Sequence, residues 1–176
     1  MINIVDLSHE ILKEFKNPNI AVDMTCGNGF DTLFLSNIAN EVYAFDIQDL
    51  AIENTSELLK NHHANNVNII KGSHDLFDKY VKENIDLAIY NLGYLPKGNK
   101  AIRTEANIVI SSLKKAINKL NENGIIVLVI YLHDMLESNQ ISDFASRLDS
   151  KFDVMRIQVL NKKDSPYIIK INKIKE

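Results

Sequence analysis

The chain has little cysteine, little proline, no long apolar run and no surplus of positive charge, and each shortage excludes a class of protein. Cys26 is the only cysteine, so the chain has no internal disulfide and no thiolate cluster for zinc, as expected in a reducing compartment. None of the five histidines forms an H-x-x-x-H pair, and no metal is expected. No apolar stretch approaches the roughly 20 residues that cross a bilayer. The first fifteen residues carry early acids at helical spacing in place of a basic region and an apolar block. The expectation is a cytoplasmic protein without a membrane partner. A net charge of -3 gives no global attraction to nucleic acid, so an RNA partner must be held by a local patch.

What remains is a chain of 176 residues, 45% hydrophobic and 24% charged. That is the size and composition of one domain, 1–176, able to bury a core unaided. Ile4, Leu7, Ile11, Leu12 and Phe15 recur at helical spacing before Pro18. Ile20 to Met24 then reads as a buried strand, a glycine turn follows, and Thr32 to Ile38 reads as a helix. Glu41 to Asp46 is a second strand that ends on an acid. The unit repeats through a helix from about Leu50 to His62, a strand Val67 to Lys71, a short helix near Asp75 to Val81 and a strand Ile85 to Leu92. Thr104 is placed to cap a helix whose Val109, Leu113, Ala116, Ile117 and Leu120 share a face, with Gly124 ending that connection. The following run, IIVLVIY, is apolar at every position, as parallel strands covered on both faces are. After a helix near Glu137 to Leu148, Phe152 to Leu160 and Tyr167 to Ile171 are separated only by NKKDSP. That is too short for a crossover, so an antiparallel pair is expected. The fold class is therefore α/β and Rossmann-like: a mostly parallel seven-stranded sheet, helices on both faces, and a C-terminal antiparallel hairpin.

The turn Gly27-Asn28-Gly29 carries the first functional signal. In an open parallel sheet, ligands bind beyond the carboxyl ends of the strands where strand order reverses. The two glycines admit a close ligand, and Asp46, about 20 residues on, can accept both ribose hydroxyls. A dinucleotide fingerprint needs a third small residue, and Thr32 stands there, which disfavours NAD. Asp23, inside the first strand, points to a ligand with a cationic end, such as the amino-acid part of S-adenosyl-L-methionine. A tight turn with no ligand is the alternative for the glycines alone, and a small buried filler is the favoured reading of Cys26.

The stretches VDMTCGNGFDTLFL, FDIQ, GSH, NLGYLPKGNK and NKKDSPYIIKI together resemble the small class I methyltransferases of the rRNA-methylase type, a family that includes a tRNA 5-aminomethyl-2-thiouridine methyltransferase. The match covers nearly the whole chain, and NLGYLP is more specific than the glycine turn. The resemblance implies methylation of the aminomethyl group on wobble uridine 34 within the anticodon stem-loop of tRNA, S-adenosyl-L-methionine as cofactor, and a homodimer. It assigns the cofactor to Asp23, Thr25, Gly27, Asn28, Gly29, Asp31, Thr32, Asp46, Ile47, Gln48, Ser73, His74, Asn91, Leu92 and Gly93. In this chain Phe30 replaces the family's histidine in G-N-G-H-D-T. Tyr131-Leu132-His133-Asp134 likewise replaces Tyr-Pro-Gly-His, so no role is carried to either place.

The expected catalytic residues are Asn91, Tyr94 and Asp31. An Asn amide oxygen or a nearby backbone carbonyl after the fourth strand can accept a hydrogen from the target amine and aim its lone pair, and Tyr94 can stack on a base. An alkylamine with a pKa near ~10.4 is protonated in neutral water. Burial and a neighbouring sulfonium both disfavour the ammonium form, with Asp31 or His74 assisting. His74, following the third strand, is expected on the adenine side. Lys97, Asn99, Lys100 and Arg103 are placed to contact RNA around a flipped-out base. His62 and His63 read as solvated helix-end residues. Lys170, Lys173 and Lys175 add cations and also suit an edge strand that resists pairing. Methylation of an rRNA base or a small amine, and a non-catalytic nucleoside-binding module, remain as alternatives.

Overall fold

A computed structural model gives the structure of the protein and describes residues 3–93, 105–132 and 135–175. Seven strands form one sheet. They are β1 (Ile20–Asp23), β2 (Glu41–Asp46), β3 (Val67–Lys71), β4 (Ile85–Leu92), β5 (Leu120–Ile130), β6 (Phe152–Gln158) and β7 (Tyr167–Lys173). Their order across the sheet is β3-β2-β1-β4-β5-β7-β6. The first five are parallel, while β7 runs antiparallel to both β5 and β6. The chain winds outward from β1 to β3 and then returns to the other side of β1 with β4. The order therefore reverses at β1 and β4, and a crevice opens beyond their carboxyl ends.

The helices are α1 (Ile4–Leu12), α2 (Phe30–Ser36), α3 (Asp49–Asn61), α4 (Ala106–Lys119) and α5 (Met135–Ser146), with a 3-10 turn over His74–Lys79. The Asn3 side chain caps α1 by accepting from the Val5 amide, which satisfies one of the helix's orphan donors. Alternation along the strands separates two cores. Ile11, Leu12 and Leu35 pack with Ala21, Leu87, Ile125, Val127 and Val129 on one face. Val109, Leu113 and Ile141 pack with Val22, Tyr90, Ile126 and Leu128 on the other. Strand β5 is apolar on both sides because helices cover both.

Two sequence expectations change, and a third falls outside the described residues. Strand β5 does not wait for Gly124: Leu120 already pairs with Ile85, and the next pairing is Ile125 with Leu87. The intervening residues bulge through Asn123 at φ 60, and a Cβ on Gly124 would sit 2.8 Å from the Asn121 carbonyl oxygen. This glycine fits a bulge and is not a helix stop. The lysines of β7 do not guard an edge, because β7 lies inside the sheet between β5 and β6. Lys170 is buried and paired with Glu14, and Lys173 donates to the Leu120 carbonyl. The cap expected at Thr104 lies outside the described residues. Glu105 occupies the N-cap position of α4 and makes no side-chain cap bond.

No helix among the described residues is long and apolar enough to cross a membrane, and no group of three metal-ligating side chains occurs among them.

Candidate cofactor and methyl-transfer site

The crevice is built from the ends of β1, β2, β3 and β4. After β1 the chain passes Thr25 and Cys26 into the turn, with Gly27 at φ 52 and Gly29 at φ 84. A side chain resists this left-handed backbone. Gly29 is needed a second time, because a Cβ there would lie 2.9 Å from the Thr55 Cα on α3. Helix α3 clamps the turn from outside. Thr55 Oγ1 donates to the Gly27 carbonyl at 3.2 Å, and Asn54 Nδ2 donates to Asn28 Oδ1 at 2.9 Å. The turn is thus held open and rigid before any ligand arrives.

Asp46 closes β2 with its carboxylate at the crevice. Oδ2 accepts from the Gly27 amide at 3.1 Å and Oδ1 from the Gln48 amide at 3.0 Å. Each oxygen keeps a lone pair for a hydroxyl. The adjacent Ile47 side chain is half exposed, an apolar surface beside a polar anchor that suits the flat face of a base. Ser73 leads into the 3-10 turn. His74 is buried there, its ring edge-on to Tyr90 at 5.6 Å, and neither ring nitrogen has a partner among the described residues. Burial lowers its pKa to about 4, so the imidazole is neutral at pH 7.

Asp23 is wholly buried beneath the turn. Oδ2 accepts from Thr32 Oγ1 at 2.6 Å and Oδ1 from the Thr25 amide at 3.1 Å. This gives Thr32 a use in place of the missing third glycine: its hydroxyl ties the first turn of α2 to β1. Burial foremost, then the negative charges of Asp31 and Asp46, raises the Asp23 pKa to about 8, against the lowering effect of those two hydrogen bonds. Asp23, Asp31 and Asp46 crowd three acidic side chains into one crevice, and a ligand carrying an ammonium and a sulfonium would offset their mutual repulsion. Cys26 is buried, and burial pushes its thiol far above its usual pKa, which fits the filler reading and not a thiolate.

Asn91 is held on two sides. Its amide N–H donates to Thr25 Oγ1 at 2.8 Å, and its side-chain Nδ2 donates to Asp31 Oδ2 at 3.0 Å. Leu92 packs against the core. A Cβ on Gly93 would lie 3.3 Å from the Tyr131 ring. Burial raises the Tyr131 pKa, and the charge of Asp31 adds to the effect. The structure therefore gathers Asp23, Thr25, Gly27, Asn28, Gly29, Asp31, Thr32, Asp46, Ile47, Gln48, Ser73, His74, Asn91, Leu92 and Gly93 along the carboxyl edge of four neighbouring strands. Tyr94, Lys97, Asn99, Lys100, Arg103 and His133 lie outside the described residues.

His9 on α1 was absent from the sequence reading. Its Nε2 lies 2.6 Å from Asp31 Oδ1, and its ring stacks on Phe34 at 3.9 Å and 2°. The only local signal is a histidine on an amphipathic helix, and its partner lies across a strand and a turn.

A rigid two-glycine turn, an acid at the end of the second strand and an oriented Asn at the end of the fourth, on a sheet with this order, define a class I methyltransferase that uses S-adenosyl-L-methionine. The chain belongs to the family described as "Putative rRNA methylase", which it matches over residues 42–173. It is 32% identical to the Arabidopsis thaliana protein described as "tRNA (mnm(5)s(2)U34)-methyltransferase, chloroplastic", across 93% of this chain and 67% of that one. A Clostridium thermocellum structure described as a putative rRNA-methylase superposes with a TM-score of 0.94 at 36% identity, covering 99% of both chains. A Streptococcus mutans putative methyltransferase, solved in complex with SAH, gives 0.93 at 36% identity and 99% of both chains. The seven-stranded methyltransferase fold and the cofactor expected from the sequence both stand.

Proposed function

We propose that this protein methylates the aminomethyl nitrogen of 5-aminomethyl-(2-thio)uridine at wobble position 34 of tRNA, giving the methylaminomethyl form. The observation that carries the proposal is the similarity to the Arabidopsis tRNA methyltransferase across 93% of this chain. When bound, S-adenosyl-L-methionine supplies an electrophilic methyl group on a sulfonium sulfur. In this reading the backbone at Gly27 to Gly29 lines the cofactor's amino-acid end. Asp23 balances its cationic charge through the field, since the buried carboxylate is already engaged. Asp46 accepts the ribose hydroxyls, Gln48 fixes Asp46, Ile47 covers one face of the adenine, and Ser73 and His74 meet its edge.

Asn91 presents its amide oxygen to the acceptor. An N–H of the neutral amine donates to it, which turns the nitrogen lone pair toward the methyl carbon. Asp31 accepts from Asn91 Nδ2 and lies against His9 Nε2, so in this reading it acts by holding Asn91. Tyr94 stacks the extruded uridine, and Lys97, Asn99, Lys100 and Arg103 bind the anticodon stem-loop.

The test is nucleoside mass spectrometry on tRNA from a strain lacking the gene, before and after treatment with the purified protein and cofactor. Accumulation of 5-aminomethyl-2-thiouridine and its conversion by the protein are the expected results. An unchanged wobble nucleoside, with label passing instead to rRNA or to a small amine, overturns the substrate. Cofactor binding without transfer to any RNA pool would instead favour a binding module.

A further inference from the structure

Asp31 joins two side chains from different parts of the fold. Its Oδ1 lies 2.6 Å from His9 Nε2 on α1, and its Oδ2 accepts from Asn91 Nδ2 at 3.0 Å. A carboxylate can only accept, so both partners must face it with N–H. The His9 proton therefore sits on Nε2, and the Asn91 amide is turned with its NH2 toward Asp31 and its Oδ1 away. Phe34, lying flat against the imidazole, fixes the plane of that ring. The side chains of His9 and Asp31 are 18% and 7% exposed, so water competes weakly for the bond.

We propose that His9 is a positioning residue for methyl transfer, acting through Asp31 to keep the Asn91 amide oxygen directed at the acceptor nitrogen. This rests on the reading of Asn91 given above. With His9 in place, Asp31 is pinned at one oxygen and offers the other to Asn91 in a single orientation. Without it, the carboxylate turns about its own axis and Asn91 loses the partner that decides which way its amide faces. The competing role is a strut that merely ties α1 to α2, and it predicts lost stability without a specific loss of transfer.

The experiment compares His9→Leu, which removes the donor, with His9→Gln, whose Nε2 lies the same number of bonds from Cβ as the imidazole Nε2. Three quantities are read on the full chain: SAH affinity by calorimetry, the side-chain amide resonance of Asn91 by NMR, and single-turnover methyl transfer to tRNA that carries the unmethylated aminomethyl group. His9→Leu is expected to slow transfer by about 10- to 100-fold, to leave SAH affinity within about twofold, and to shift the Asn91 resonance. His9→Gln is expected to restore the resonance and most of the rate. An unmoved resonance in His9→Leu, a rate that falls only with SAH affinity or folded fraction, or a Gln variant as slow as Leu overturns the proposal. Should His9→Leu fail to fold, His9→Asn, whose amide stops short of Asp31, takes its place. If the unsubstituted protein methylates no tRNA, the substrate reading fails, and the resonance still decides the role of His9.

Discussion

Binding of the cofactor should release a proton from Asp23. In the cofactor-free protein its pKa is raised to about 8, by burial first and by Asp31 and Asp46 next. At pH 7 roughly nine molecules in ten then carry the proton, by the ordinary titration relation. An ammonium placed near the site removes the repulsive part of that shift and favours the carboxylate. If Asp23 is fully ionised in the complex, binding at pH 7 releases about 0.9 proton, and affinity rises close to tenfold between pH 6 and 7 before levelling near pH 8. Calorimetric titration of SAH in two buffers of different ionisation enthalpy reads the proton count directly. Asp23→Asn keeps the shape and can still bond Thr25 and Thr32, so it isolates the titration. Its release should fall toward zero, and its affinity should approach that of the unsubstituted protein as pH falls. The folded-state pKa lies above the unfolded value, so Asp23 costs stability increasingly as pH rises from about 4 to about 8. The cofactor-free Asp23→Asn protein should accordingly melt higher at pH 8, and the two proteins should converge near pH 4. A release below about 0.2 proton at pH 7, or one unchanged by Asp23→Asn, would refute the reasoning.

Three further outcomes are expected. His74→Leu removes two buried nitrogens that have no partner among the described residues, so it should stabilise the cofactor-free protein by about 1 kcal/mol in thermal melts while weakening SAH binding. Unchanged SAH affinity would remove His74 from the adenine site. Because the folded-state pKa of His74 is lowered to about 4, its contribution is lost as pH falls from about 6.5 toward 4, by about 3 kcal/mol in all, and the Leu variant should show a flatter acid limb. Gly29→Ala combines a left-handed backbone with a 2.9 Å approach to the Thr55 Cα. Denaturant titration should show a loss of at least about 2 kcal/mol, and SAH affinity should fall with it. Tyr90→Phe deletes the hydroxyl 2.8 Å from Ser112 Oγ and should cost about 1 kcal/mol, with the rate of transfer unaffected if the Tyr90 hydroxyl serves only the core.

Much of the sheet could be read from local sequence. The bounds of β2, β3 and β4 coincide with the apolar runs Glu41–Asp46, Val67–Lys71 and Ile85–Leu92, because both ends of each run are marked by polar or turn-forming residues. The glycine turn and Asp46 were legible for the same reason, as their relation is set by one β-turn-α-β unit. What stayed hidden depends on contacts far apart in the chain. Lys170 looked like an edge lysine because nothing nearby announces Glu14, 156 residues away. His9 looked like any polar position on an amphipathic helix, since Asp31 is 22 residues off. Gly124 followed a helix and so resembled a stop, while the bulge that requires it is defined only by pairing with β4.

The position of β7 between β5 and β6 also bears on how the protein is made. Strand β6 is synthesised first but lies outermost, so it has no place in the sheet until Tyr167–Lys173 has left the ribosome. A nascent chain that has reached Gln158 holds, at most, the five parallel strands, with the apolar strand β5 exposed along its edge. During that interval the unfinished protein carries a sticky border, and it is then that a chaperone, or a second unfinished copy, would find it.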